Sequence, residues 1–390
     1  MIKDKNKFMT IKIIVSVVLI CVYILPVDVI ETKYPISKLT FVGVVGIIYM
    51  LTIIKTKKVS IKEIIFVVLL LSLSVFSRNL NFLMFVTIPF LNRIMKYEDQ
   101  IQDYLKKSKI LYICLIFTIA YSIMYAGTNG RYAFTAVKET NQSGLAIFCL
   151  ALMLIKKNKK IGIATLLFGL LTISRSYYLA VFMYLIFKIK FIKKIINNNK
   201  IIKLCNYTNL TIISSIILIL LGIFYINQYQ QGNIYWGDDI SNRLYNFLDY
   251  SNFFRFTAII ILLMIIKMFP SKLLFGVTRE EFINLGNLAS NDLGIPYKYV
   301  VPHNLFYSHL KMYGFFAIIE TIYISSVLKK IVNNSNFSIY IAIVLYSFLL
   351  GAGMYSYWLY LSVFTLVMYT NNCNSEEKEN ENSINRWKYR

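Results

Sequence analysis

Apolar runs of roughly 16–20 residues recur along almost the whole chain, separated by short polar joints. A helix needs about 20 apolar residues to cross a bilayer, so runs of this length favour membrane-spanning segments. Lipid leaves backbone polar groups unsatisfied outside helices and closed barrels, and these runs are continuously apolar rather than alternating. Only 16% of the residues are charged, against about 25% in soluble domains. The sequence therefore predicts an all-α, polytopic membrane helix bundle.

The bundle is predicted to contain about 12 transmembrane helices within one integral membrane domain, residues 1–371. The predicted spans are residues 11–29, 39–54, 61–76, 80–95, 110–126, 144–155, 161–174, 178–192, 208–226, 312–328, 336–351 and 354–371. The first run has no small-residue cleavage site after it, which favours an uncleaved span. Residues 372–390 are polar and mixed in charge, as expected for a disordered cytoplasmic tail.

Lysines are concentrated at alternate joints, and this asymmetry predicts the orientation of the chain. Cytoplasmic loops of membrane proteins carry an excess of Lys and Arg, so we expect the lysine-rich joints and both termini in the cytoplasm. The same placement accounts for the net charge of +23 and disfavours a nucleic-acid partner. The lysine-rich joints contain Lys55, Lys57, Lys58, Lys106, Lys107, Lys109, Lys156, Lys157, Lys188, Lys190, Lys203, Lys329 and Lys330.

A large loop, residues 227–311, interrupts the series of spans and is predicted to lie outside the cytoplasm. Within it, residues 252–269 are apolar and long enough to span. A further span there would reverse the joints that follow and place Lys329 and Lys330 outside, against the positive-inside pattern. We therefore expect these residues to form a helix lying in the membrane interface, with a thirteenth span as the alternative.

Three arginines are predicted at the outer surface, where charge close to hydrocarbon is costly and usually functional. Arg131 and Arg175 lie in short joints between spans, and Arg255 lies near the start of the run at 252–269. The planar guanidinium group binds phosphate well and stays charged when it is partly desolvated. The three side chains are thus candidate diphosphate ligands, and the alternative is that each reaches separately to lipid headgroups.

The segment Pro302-His303-Asn304 precedes the tenth predicted span. Asn304 is a plausible helix N-cap, which would hold the imidazole of His303 at the mouth of the bundle, where it could act as a general base. The alternative is an ordinary surface histidine at a helix start. Glu320 lies within the tenth predicted span, so we expect it to face a partner or a cavity.

Aromatic and polar residues of the loop complete the set of candidates. Trp236, Arg243 and Tyr245 could contact sugar rings, although packing within the loop explains them equally well. The pair Asp238-Asp239 is a weak metal-binding pattern, and we expect neither a metal site nor another cofactor.

Five stretches of this sequence resemble the bacterial O-antigen ligase/polymerase family, which includes Wzy-type capsule and O-antigen repeat-unit polymerases. Their order and spacing match that family over roughly residues 125–320. The stretches are Gly130-Arg131 with Asn141-Gln142-Ser143-Gly144; Thr172-Ile173-Ser174-Arg175-Ser176; Arg255; Leu274-Phe275-Gly276-Val277; and Pro302-His303-Asn304-Leu305 with Gly314. The chain departs from the pattern at Thr140, where the family often has proline, and at Thr278, where it often has glycine.

The resemblance implies a metal-independent glycosyltransferase in the bacterial cytoplasmic membrane. Its substrate would be an oligosaccharide linked to undecaprenyl diphosphate at the outer leaflet, and its partners a flippase and a chain-length regulator. Arg175, Arg255 and Arg131 would neutralise the departing diphosphate, and His303 would accept or orient the proton of the acceptor hydroxyl. Asn304 would contribute to acceptor contacts.

Three other functions remain open from the sequence. A ligase would transfer the finished glycan to another acceptor, by related chemistry. A lipid-linked oligosaccharide flippase or transporter would normally have repeated halves and charge inside the spans, and no internal repeat is evident in this sequence. A membrane scaffold or sensor would tolerate changes at the arginines and the histidine.

Overall fold

The computed structural model describes residues 2–24, 94–124, 140–189, 199–237, 246–302, 304–348 and 356–370, with isolated residues between 46 and 192. Every regular element in these ranges is a helix, which confirms the all-α class. The α-helices are α1 Ile2–Tyr23, α2 Glu98–Lys107, α3 Ile110–Met124, α4 Thr140–Lys157, α5 Lys159–Phe168, α6 Arg175–Ile186, α7 Asn199–Leu204, α8 Tyr207–Gln230, α9 Tyr250–Met268, α10 Ser271–Phe275, α11 Arg279–Asp292, α12 Leu305–Tyr313, α13 Phe316–Ile331, α14 Phe337–Phe348 and α15 Ser356–Val367. Most of the predicted spans at 39–54, 61–76 and 80–95, and the tail at 372–390, lie outside the described residues.

Two of the described helices, α8 with 24 residues and α9 with 19, are long and apolar enough to cross a membrane. A third candidate is the bent pair Met95–Lys107 and Ile110–Met124, whose two halves meet at an angle of 60°. These helices support a helical membrane protein, and the number of about 12 spans stays a prediction.

The outer face of α8 is apolar as well as exposed, which fits a lipid environment. Leucine and isoleucine side chains on this face are about half exposed, as at Ile213 (52%) and Leu220 (60%). Contiguous apolar patches of this kind are rare on soluble monomers, because water disfavours them. The exposed apolar residues of α8 are Ile212, Ile213, Ile216, Ile217, Leu220, Ile223 and Phe224.

Helices α8 and α9 form an antiparallel pair. The ring of Tyr229 lies 5.3 Å from that of Phe253, and Tyr225, one turn earlier, lies 5.2 Å from Phe256, about one turn later. Because α9 packs antiparallel along α8, a membrane crossing by one helix entails a crossing by the other. The length and packing of α9 make residues 252–269 a candidate span, and the choice between a span and an interfacial helix stays a prediction.

The helix that corresponds to the predicted span at 312–328 begins at Phe316, four residues later than predicted. Helix α12 ends at Tyr313, and Gly314 turns the chain with a φ of 57° before α13 begins at Phe316. A Cβ atom at Gly314 would lie 2.7 Å from the backbone nitrogen of Gly276, which itself has a φ of 78°. The two glycines therefore permit a close backbone contact between the ends of α10 and α12.

Within the described residues, the buried side chains form two hydrophobic clusters. The first includes residues of α1, α4, α14 and α15. The second includes Phe253 and Leu262 of α9, Phe282 of α11 and Tyr307 of α12, together with residues of α8. Helices α9, α11 and α12, which come from the predicted loop region, therefore share one hydrophobic cluster with α8.

Basic residues from several joints meet at one end of the fold. Lys106 and Lys188 lie close enough to Lys156 to affect it electrostatically. Lys203 and Lys329 line the same cavity as Lys156. The predicted grouping of these joints on one side is therefore confirmed for these five lysines, and their assignment to the cytoplasm stays a prediction.

Candidate functional site

The candidate site is organised by an ion pair between Arg175 and Asp249. The Nη2 atom of Arg175 donates to Oδ2 of Asp249 at 3.0 Å. The carboxylate is almost fully buried, with 1% of its side chain exposed, whereas the arginine side chain remains 40% exposed. A guanidinium group has five N–H donors, so this bond leaves Arg175 with further donors for a ligand.

The joint before Arg175 holds this side chain at the first position of α6. Ser174 is the N-cap of α6, and its side chain accepts a hydrogen bond from the backbone N–H of Tyr177. Ile173 has a φ of 45°, in the left-handed region that β-branched residues avoid. Such strain is often found at functional sites, and here it turns the chain into α6. A cation at a helix N-terminus is unfavourable, so the Asp249 carboxylate offsets both the arginine and the helix dipole.

Asp249 also positions the helix that carries Arg255. Its Oδ1 atom accepts a hydrogen bond of 2.7 Å from the backbone N–H of Asn252, which makes it the N-cap of α9. Arg255 follows in the second turn of α9 and is half-buried. At 1.5 Å per residue, Arg255 lies about 9 Å along the helix axis from Asp249. Two of the predicted arginines therefore belong to the same end of the bundle.

Trp236 lies at this end as well. Its ring stacks on that of Tyr250 at 6.4 Å with an interplanar angle of 9°, and the residue is 49% exposed. Backbone hydrogen bonds hold the segment in place, because Tyr235 pairs with Leu248 and Tyr250 on either side of Asp249. One side of the indole packs in the fold and the other is accessible, so Trp236 can still contact a ligand.

Lys298 adds a third cation at this end, which the sequence did not indicate. Its Nζ atom lies 5.6 Å from the ring centroid of Tyr250 and 5.8 Å from that of Phe254. The segment after α11 therefore returns to the start of α9. Nothing in the local sequence around Lys298 could have indicated this contact, because it depends on how α11 packs.

Asn304 has the predicted role of N-cap. Its side chain accepts a hydrogen bond from the backbone N–H of Tyr307 and donates to the carbonyl of Phe348. The hydroxyl of Tyr307 reaches the carbonyl of Ser215 in the middle of α8. Ser215 precedes Tyr225, the residue beside the Asp249 end, by ten positions, or about 15 Å of helix. Asn304 itself is fully buried at the start of α12.

A buried pair of ionisable residues links α12 to α13. The Nδ1 atom of His309 lies 2.5 Å from Oε2 of Glu320, and both side chains are less than 10% exposed. This confirms the expectation that Glu320 faces a partner. The ring of His309 also makes an edge contact with Tyr313 at 5.5 Å.

Asp249 was not among the candidates predicted from the sequence, although an Asp before an apolar run is a helix-start signal.

Other residues that were predicted for the site lie outside the described part of the chain. In the described part of the chain, no group of three or more His, Cys, Asp and Glu side chains is arranged to hold a metal ion. The candidates outside the described residues are His303, Arg131, Arg243, Tyr245, Asp238 and Asp239.

Comparisons with known proteins found no matching family model, no matching curated protein and no matching solved structure.

Proposed function

We propose that this protein is a glycan polymerase that joins oligosaccharide repeat units carried on undecaprenyl diphosphate at the outer leaflet of a bacterial membrane. The observation that supports it most is the Arg175–Asp249 pair, which fixes one guanidinium group at the start of α9, the helix that carries Arg255. The resemblance of the sequence to O-antigen polymerases and ligases supplies the substrate class.

In the proposed reaction, the acceptor hydroxyl attacks the sugar carbon that bears the diphosphate. The bond between that carbon and the phosphate oxygen breaks as the new glycosidic bond forms, and the diphosphate leaves with the lipid. Arg175 and Arg255 stabilise the negative charge that develops on the leaving group, with Arg131 as a further candidate. Such electrostatic stabilisation is often the largest contribution to catalysis. His303 takes the proton of the hydroxyl.

The loop aromatics and Asn304 have different parts in this proposal. Trp236 is half exposed and lies against Tyr250 at the start of α9, so it can stack on a sugar ring of the repeat unit. Asn304 is fully buried and its side chain is engaged in the cap of α12, which supports a positioning role for it. Arg243 and Tyr245 remain candidates for acceptor contacts.

Complementation of a deletion strain tests the proposal. We expect Arg175→Ala, Arg255→Ala and His303→Ala each to reduce long-chain polysaccharide at least tenfold while the protein is still present in the membrane. Arg175→Lys should restore only part of the product, because lysine lacks the planar fork of donors. Arg279→Ala is the matched control, since Arg279 is exposed and stacks on Tyr299 rather than lying beside Asp249.

The product that accumulates separates the possible functions. Single repeat units on the outer leaflet indicate a polymerase, and long chains left on the carrier lipid indicate a ligase. Near-normal long chains from the combined Arg175→Ala, Arg255→Ala and His303→Ala variant would overturn the proposal.

The buried His309–Glu320 pair supports a second candidate, a proton-coupled transporter or flippase. Ionisable residues buried among apolar helices often mark proton or substrate pathways. In that case, Glu320→Gln would stop transport, and repeat units would accumulate on the cytoplasmic leaflet. The arginine variants at the Asp249 end would then have little effect.

A further inference from the structure

A cavity of about 1250 Å³ opens between the end of α4, the start of α8 and the connection from α13 to α14. Lys156, Lys203 and Lys329 lie on its wall, one from each of three separate segments. None of the residues described along this wall is acidic. The charge inside the cavity is therefore positive.

Amide side chains line the cavity between the lysines. Asn206 and Asn209 belong to the start of α8, and Asn333 and Asn334 belong to the α13–α14 connection. Asn206 caps α8 by accepting a hydrogen bond of 2.9 Å from the backbone N–H of Asn209. Asn334 is exposed to the cavity solvent. Such groups can donate hydrogen bonds to phosphate oxygens alongside the ammonium groups.

Lys156 lies near other lysines, and no acidic residue is among the described residues that line the cavity. Partial burial, and to a smaller extent the charges of Lys106 and Lys188, lower its pKa, because both disfavour the ammonium form. Its ammonium group lies 4.7 Å from the ring centroid of Tyr369, so the aromatic face holds it at the cavity wall. An anion would relieve this repulsion.

The cavity lies at the opposite end of α8 from the Arg175–Asp249 pair. Tyr207, the first residue of α8, lines the cavity, and Tyr225 contacts Phe247 close to Asp249. These two tyrosines are 18 positions apart, or about 27 Å along the helix. The hydrocarbon core of a bilayer is about 30 Å thick. The two sites therefore face opposite membrane surfaces.

We propose that this cavity binds a phosphate group, supplied by the headgroup of an anionic lipid in the leaflet that it faces. The cavity exceeds the roughly 300–1000 Å³ of ordinary ligand pockets, so it has room for a headgroup larger than the phosphate itself. Basic pockets between helices on the cytoplasmic side are a known means of binding anionic headgroups. A free phosphate or diphosphate has the same chemistry and is distinguished by the test.

The test measures binding of short-chain phosphatidylglycerol to the purified full-length protein in a neutral maltoside detergent. Short-chain phosphatidylcholine is the zwitterionic comparison, and inorganic phosphate and pyrophosphate are the free anions. Lysine near an anionic lipid contributes about 1 kcal/mol, which is about fivefold in affinity. We expect the variant Lys156→Gln with Lys203→Gln and Lys329→Gln to bind phosphatidylglycerol at least twentyfold more weakly.

The matched control removes the same charge elsewhere on this end of the fold. Lys109, Lys159 and Lys160 are exposed and do not line the cavity, so their replacement by Gln should change the affinity less than twofold. Asn334→Asp is a second variant, which adds a negative charge inside the cavity without removing a lysine. It should weaken binding at least threefold with no loss of folded protein.

The binding data decide between the sources of phosphate. Loss of phosphatidylglycerol binding in the cavity variants, without competition by phosphate or pyrophosphate, supports a lipid headgroup. Competition that also depends on the three lysines supports a phosphate site filled from solution. Equal weakening in the cavity and control variants, or no preference for phosphatidylglycerol over phosphatidylcholine, overturns the proposal.

Discussion

The Nη2 atom of Arg175 lies 3.0 Å from Oδ2 of Asp249, and this contact joins the start of α6 to the start of α9 across 74 positions of the chain. Asp249 is buried and holds two groups at once, the guanidinium of Arg175 and the backbone N–H of Asn252. A buried carboxylate is costly unless it is paired, and the bonds from Arg175 and Asn252 together stabilise Asp249 in this position. As a result, the Arg175 side chain is held in place while 40% of it stays exposed to solvent.

Substitutions at Asp249 separate its two roles. Asn is as good an N-cap as Asp, so Asp249→Asn keeps the cap of α9 and loses the charge. Asp249→Ala loses both, and a lost cap costs about 1 kcal/mol. We expect the apparent unfolding temperature in detergent to fall for Asp249→Asn and to fall further for Asp249→Ala. Asp292→Asn, at an exposed position, is the control for the change in charge. Equal stability of the Asn and Ala variants would argue against the cap.

Alanine at Gly314 should destabilise the protein through backbone strain and steric overlap. Gly294 has the strain without the overlap, so it separates the two effects. Alanine at Gly314 has a strained positive φ and a Cβ atom 2.7 Å from the backbone of Gly276 and Leu274. Gly294 has a similar φ of 63°, but a Cβ there meets nothing within 4 Å. Left-handed strain costs about 1–2 kcal/mol. We expect Gly294→Ala to lower the unfolding free energy by about that amount and Gly314→Ala to lower it by clearly more. Equal losses would mean that the α10–α12 contact is looser than described.

Glu281 gives α11 a stability that depends on pH. Burial acts to raise the pKa of this carboxyl, but hydrogen bonds from Lys272 and from the backbone of Thr278 outweigh it, so the pKa is lowered overall. Because the folded pKa lies below the unfolded value of about 4.3, the contribution is complete above that value and is lost as the pH falls through the folded pKa. The side chain is 40% exposed, so solvent screening keeps the effect below about 1 kcal/mol.

Hydrogen exchange of the α11 amides measures this effect. Glu281→Gln keeps a capping-box side chain at the same position but removes the charge. At pH 7 the unchanged protein should be better protected than the Gln variant, and the difference should become smaller as the pH is lowered to 3. A gap of the same size at both pH values would show that charge is not its cause.

The His309–Glu320 pair should show strong energetic coupling. Removing one member leaves the other buried without its hydrogen-bond partner, which costs about 1–3 kcal/mol, whereas replacing both by apolar groups can be nearly neutral. We therefore expect His309→Phe and Glu320→Met each to destabilise the protein more than the double variant does. Unfolding titrations in mixed micelles provide the four free energies of a double-mutant cycle. Additive losses would indicate that the two groups do not interact.

The local structure was predictable to the extent that it depends on neighbouring residues. Asn304 before Leu305 has the residue type and position of an N-cap, and it is one. Glu320 lies in an apolar segment, where a charged group requires a partner, although only the fold identified that partner as His309. The run at 252–269 was correctly expected to be helical. Its antiparallel packing along α8 could not be read from charge counting, because that packing depends on contacts between distant residues.

The sequence by itself determined the helical class, the apolar character of the bundle and the separation of basic joints from the rest. These follow from hydropathy and from contacts within one or two helical turns, which are encoded locally. Tertiary structure alone decided that Arg175 meets Asp249, that Lys298 returns to Tyr250, and that Lys156, Lys203 and Lys329 share one cavity. Such contacts depend on which helix faces pack together, and an apolar run of a given length packs equally well against many partners.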